Sequence, residues 1–173
     1  MPLRSIRLAL VLALPALCAG CGWTPLYADR ETGPAAADLR AIKVDPIAER
    51  TGQRLELALR NSLNPDGIPT PPRYELKTTL SVARSDLGVQ SQGIATRGQV
   101  DVIATYVLAD IATRKPLLTN TVHVADSFDI LANGYATVVT EDDARVRTVE
   151  ELRGEILARL TMYMQRHEGS PQS

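Results

Sequence analysis

Hydrophobic positions along this chain recur at two distinct periods. From Tyr74 to Val82 the even positions Tyr74, Leu76, Leu80 and Val82 are mainly apolar, while Glu75, Lys77, Thr79 and Ser81 are polar. That alternation predicts a half-buried strand. Gln99 to Ile111 places Val100, Val102, Ala104, Tyr106 and Leu108 on one face and Ile103, Val107, Ala109 and Ile111 on the other, a strand apolar on both sides. After a turn at Thr113-Arg114-Lys115-Pro116, Leu118, Val122 and Val124 alternate with Thr119, Thr121, His123 and Ala125 and predict a further strand. A short one is expected at Leu39 to Val44, where Ile42 and Val44 oppose Ala41 and Lys43. The Gly-, Ser- and Gln-rich run from Ser85 to Gly93 predicts a long hairpin tip.

Two segments change to the helical period. Asp45-Pro46 offers a cap followed by proline at the first helical position. Ile47, Thr51, Leu55, Leu59 and Leu63 then form one stripe, stopped by Asn64-Pro65-Asp66-Gly67. Near the C-terminus, Thr140-Glu141-Asp142-Asp143 reads as a capped start with acids against the positive end of the helix dipole. Val149, Leu152, Ile156, Leu160 and Met164 follow at spacings of three and four, with Tyr163 alongside. The conformation of Leu131 to Val139 is left open. The polar tail 168–173 predicts disorder.

The resulting order β-α-β-β-β-α predicts an α+β fold over residues 39–167: a two-layer sandwich with a four-stranded mixed sheet and both helices on one face. Even positions of the last three strands form a common apolar set and are expected beneath the helices. The opposite face is then bare, with Lys77, Thr79, Ser81, Thr105, Thr119, Thr121 and His123 around Ile103, Val107 and Ala109. Such a face is either a docking surface or a solvated antiparallel face that tolerates a few apolar residues.

The N-terminus changes the picture more than composition does. Arg4 and Arg7 precede an apolar run from Leu8 to Leu17, too short to span a bilayer, which ends in Leu17-Cys18-Ala19-Gly20-Cys21. Residues 1–20 therefore read as a lipoprotein signal, with Cys21 as the lipidated first residue of the mature chain. The usual motif has Leu where this chain has Cys18. An ordinary secretory cut after Ala19 or Gly20 and a redox C-x-x-C are the alternatives. Acyl chains at ~0.8 kcal/mol per buried methylene would hold the chain at a membrane surface. Residues 21–38 read as the lipidated N-terminus and a tether, with no hydrophobic period in Ala28 to Asp38.

Removing Arg4 and Arg7 from 19 basic residues leaves 17 against 20 acidic ones, a mildly acidic balance that argues against nucleic acid as a partner. With Cys21 acylated, no thiol remains for a disulfide or a thiolate metal site. The chain contains no P-loop, dinucleotide-binding glycine motif, metalloprotease helix, nucleophile elbow or calcium loop. Its two histidines, His123 and His167, have no second ligand at metal spacing. Neither catalysis nor a cofactor is expected, and a lipid-anchored hydrolase would need a triad invisible in sequence.

The start Cys21-Gly22-Trp23-Thr24-Pro25-Leu26-Tyr27, the helix Arg50-Thr51-Gly52-Gln53-Arg54-Leu55 and Arg97-Gly98-Gln99 before a strand carry a resemblance. So do Tyr135-Ala136 and Asp142-Asp143-Ala144-Arg145. Together they resemble the lipopolysaccharide-assembly lipoprotein LptE family, in its alphaproteobacterial form. The resemblance implies an outer-membrane, periplasm-facing lipoprotein that plugs the LptD β-barrel, aids its assembly and binds lipopolysaccharide. Gly22 fits outer-membrane sorting, since Asp there is the usual retention signal in enteric lipoproteins. On this reading Ile103, Thr105, Val107, Thr121 and His123 face the partner, and Lys77, Arg84 and Arg97 are candidate phosphate-binding cations. The alternative is an auxiliary lipoprotein of an ABC-type lipid transporter or an activator of cell-wall synthesis.

Overall fold

The computed structural model describes residues 34–89 and 95–167. The expected signal sequence 1–20, Cys21, residues 22–33 and 90–94 and the tail 168–173 lie outside the described residues. The elements are α1 (Pro34–Arg40), β1 (Ile42–Val44), α2 (Glu49–Leu63), β2 (Tyr74–Val89), β3 (Ala95–Asp110), β4 (Pro116–Asp129) and α3 (Gly134–His167). They form an α+β fold whose four strands lie in sequence order, β1-β2-β3-β4. β1 runs parallel to β2, with Ile42 opposite Tyr74 and Val44 opposite Leu76. β2, β3 and β4 are antiparallel neighbours, and a bulge at Leu108/Ala109 ends the regular register.

The alternation seen in the sequence sets which side of the sheet is covered. Val100, Val102, Ala104, Tyr106 and Leu108 of β3 are fully buried, as are Leu76 of β2 and, nearly so, Val122 and Val124 of β4. They meet the stripe Thr51, Leu55, Leu59 and Leu63 of α2 and the row Val149, Leu152, Ile156, Leu160 and Met164 of α3. Each large aliphatic side chain so buried contributes about 1.5–3 kcal/mol. Hydrophobic burial between the two layers is therefore the main support of the sandwich.

Four expectations are corrected. First, residues 34–40, expected as the end of a tether and the start of the first strand, form a helix whose Ala35 and Ala36 are buried. Asn64 donates to the Arg40 carbonyl at 2.9 Å, and Arg73 pairs with Asp38 at 3.0 Å, so the C-terminal half of α1 is tied to the domain. Second, Asp45 does not cap α2. Its N–H extends the sheet by donating to Leu76 O, and α2 starts at Glu49 behind Ala48, with no side-chain cap.

Third, the ladder between β2 and β3 persists through Arg84–Val100, Asp86–Gly98 and Leu87–Arg97 to Val89–Ala95. Backbone pairing there continues past the regular apolar–polar alternation that ends at Val82, so the strands reach into the segment expected as the hairpin tip. Fourth, α3 begins at Gly134 and extends for 34 residues, about 51 Å. Asn133 Oδ1 accepts the Tyr135 N–H at 3.0 Å, and Thr137 Oγ1 accepts the Leu131 N–H at 2.9 Å. These bonds secure a first stretch rich in β-branched residues, where propensity is weak. Thr140 and the acids after it therefore lie inside the helix.

Candidate functional site

The sheet side away from α2 and α3 carries the odd-numbered residues of β2, β3 and β4. Cross-strand register sets them in rows: Lys77–Val107–Thr119, Thr79–Thr105–Thr121 and Ser81–Ile103–His123. The five residues expected to face a partner, Ile103, Thr105, Val107, Thr121 and His123, thus occupy three consecutive rows of β3 and β4. Ile103 is 42% exposed and Val107 is half-buried, giving an apolar centre inside a hydroxyl-bearing surround. Thr105 Oγ1 and Thr121 Oγ1 lie 3.2 Å apart. His123 Nε2 is 3.2 Å from Asp101 Oδ1, which also accepts a bond from Gln99 Nε2 at 3.0 Å. Cross-strand threonine and acid–imidazole pairs of this kind stabilise a sheet modestly and keep the surface polar but ordered.

The three candidate cations do not come together. Lys77 is on the open face, opposite Val107, and Arg97 is near the hairpin end, opposite Leu87. Ten residues of β3 separate those two positions, roughly 33 Å at strand rise. Arg84 belongs to the helix-side face, opposite buried Val100. Its guanidinium pairs with Glu141 of α3 at 3.4 Å and Asp86 at 3.2 Å, and it stacks over Phe128 at 5.5 Å from the ring centroid. The Phe128 ring in turn covers Gly98, where a Cβ would stand 2.3 Å from Cζ. Arg84 therefore clamps β2 to α3, and Arg97 lies 3.8 Å from Asp129.

Glu141 and Asp142 serve the same kind of inter-element bonding. Asp142 receives both guanidinium nitrogens of Arg54 at 2.9 Å, joining α3 to α2, and this contact holds its carboxyl below the usual range. Glu141 pairs with Arg145 and Arg84. Among the described residues, no group of three or more His, Cys, Asp or Glu is placed to hold a metal ion.

One feature of the open side escaped sequence reasoning. At the corner where β1 and β2 meet the β3–β4 turn, Lys43, Pro72, Glu75, Lys77, Ala109, Asp110, Ile111 and Arg114 line a pocket of about 460 Å³. Glu75 stands between the two lysines, 2.9 Å from Lys77 Nζ and 3.7 Å from Lys43 Nζ, and Asp45 approaches Lys43 at 3.2 Å. The Lys77 ammonium lowers the Glu75 carboxyl and is itself raised by it. Lys43 was the readable clue, since its parity opposes the buried Ile42 and Val44; Arg114 lay in a turn with no pattern to assign it.

No family model matches the chain. The uncharacterized protein RP188 of Rickettsia prowazekii (strain Madrid E) is 24% identical over 153 residues, spanning 88% of this chain and 94% of its own length. Among solved structures, a Caulobacter crescentus CB15 chain described as a lipoprotein superposes with TM-score 0.63 at 19% identity, covering 76% of this chain and 96% of that one. A minor lipoprotein from Acinetobacter baumannii gives TM-score 0.57 at 17% identity, over 70% and 90% of the two chains. At these identities the likeness is one of fold: the helix-backed sheet with one open face is an architecture also found in solved bacterial lipoproteins.

Proposed function

We propose that this chain is an outer-membrane lipoprotein that plugs and assists assembly of an LptD-type β-barrel and binds lipopolysaccharide on its way to the outer leaflet. The observation that carries the reading is the open sheet face, where Ile103 and Val107 are flanked by Thr105, Thr121, Ser81 and His123 and left uncovered by either helix. A polar barrel wall suits such a surface, because hydroxyls and an Asp–His pair exchange hydrogen bonds with other side chains while a small apolar centre excludes water. The signal sequence with Cys21, Gly22 after it, and a fold shared with solved lipoproteins support an anchored, periplasm-facing protein. The role is one of binding and scaffolding, with no catalytic step.

A photo-crosslinking residue at Ile103, in the full lipidated chain expressed in its native envelope, tests this directly. Capture of one large β-barrel protein is the expected result. Capture of an inner-membrane transporter or a cell-wall synthase instead would replace the reading with that of an auxiliary lipoprotein of those machines.

A further inference from the structure

We propose that the corner pocket binds a phosphorylated sugar, with its phosphate held by Lys43, Lys77 and Arg114 and its ring hydroxyls by Glu75 and Asp110. Three cations from three separate segments, β1, β2 and the β3–β4 turn, converge on one concavity. Both lysines lie against carboxylates, Lys43 against Asp45 and Glu75 and Lys77 against Glu75, so an incoming phosphate shares their ammonium groups with those acids. Arg114 has no carboxylate partner among the described residues, and its planar set of donors is the side chain best suited to a phosphate.

Arg114 also adopts φ +58°, a left-handed conformation that side chains other than glycine adopt only at a steric cost. Glycine or asparagine would make that turn more easily. An arginine there is disfavoured by local folding, and the residue lines the pocket. The volume of about 460 Å³ falls in the range of small-molecule sites. At ~30 Å³ per water it leaves space beside a phosphate for a sugar ring, against the apolar wall of Ala109 and Ile111. The assignment stands on the pocket itself; only a lipid source for the headgroup rests on the function proposed above.

Calorimetric titration of the full lipidated chain in nonionic detergent, with glucose 1-phosphate, inorganic phosphate and glucose, tests the site. Glucose 1-phosphate is expected to bind more tightly than inorganic phosphate, and glucose not at all. Arg114→Gly, which relaxes the backbone and preserves the fold, is expected to weaken glucose 1-phosphate binding about tenfold, the worth of one lost charge-assisted contact. Its melting temperature should hold or rise, and Lys77→Gln should weaken binding similarly. Equal binding of glucose, or unchanged affinity in both variants, overturns the proposal.

Micelles of a phosphorylated glycolipid separate the two sources. A parallel loss of glycolipid binding in Arg114→Gly supports a lipid headgroup as the occupant. Glycolipid binding indifferent to Arg114→Gly, with glucose 1-phosphate binding still dependent on it, supports a free phosphosugar. If neither probe responds to the substitutions while glycolipid still binds, the pocket assignment falls and the wider lipopolysaccharide reading survives.

Discussion

Gly52 and Gly98 show how single side chains set distances in this molecule. A Cβ on Gly52 would lie 2.6 Å from Ile47 Cγ2 and 3.2 Å from the Ile47 carbonyl carbon, so the chain entering α2 packs directly on the helix backbone. Gly52→Ala gains about 1 kcal/mol of helix propensity but overpacks a stiff β-branched neighbour, at about 1–3 kcal/mol. A net loss of stability in urea denaturation is expected. Ile103 is the opposite case: at 42% exposure, Ile103→Arg should change stability by no more than about 0.5 kcal/mol while abolishing partner capture. Folding and docking are thereby separable at one position. The sheet-face residues were legible because parity in a strand dictates the side on which a residue stands. The pairing of Arg84 was not, since its partner Glu141 is distant in the chain.

At the scale of elements, the strands and the cores of both long helices were readable from periodicity, and their ends were not. Helix α3 starts earlier than its apolar stripe because Asn133 accepts the first-turn N–H of Tyr135, while Thr137 and Thr140 bond the first turns back to Leu131 and Asp129 of the preceding chain; hydrophobic period is blind to that. Acids that looked like a cap are instead the means by which α3 holds its neighbours. The Arg54–Asp142 pair makes this visible in pH dependence. With its folded-state pKa below the unfolded value, the Asp142 carboxyl binds fewer protons in the native state. Its contribution is complete above the ordinary carboxylate range and is lost as pH falls through the lowered value. Glu75 and Asp110 shift in the same direction. Urea midpoints of wild type and Asp142→Asn should therefore differ near neutrality and converge below about pH 4.

For the whole molecule, two layers with one side covered follow from the order of the strands and could be anticipated; the corner pocket could not, because it depends on how a turn, a loop and two strands end together. Depletion of the protein in cells is expected to reduce lipopolysaccharide at the cell surface without reducing its synthesis. Surface labelling compared with total glycolipid measures this, and an undiminished surface signal would contradict the proposed role.

Neighbouring strands in the sheet are also neighbours along the chain, and both long helices return over the same side. Among the described residues no connection crosses the other side. A finished, folded protein can therefore be slid sheet-first against a partner, or withdrawn from it, like a cork that never has to be unpicked from its bottle. If a partner takes up this face, as proposed, docking and release require no unfolding of this domain.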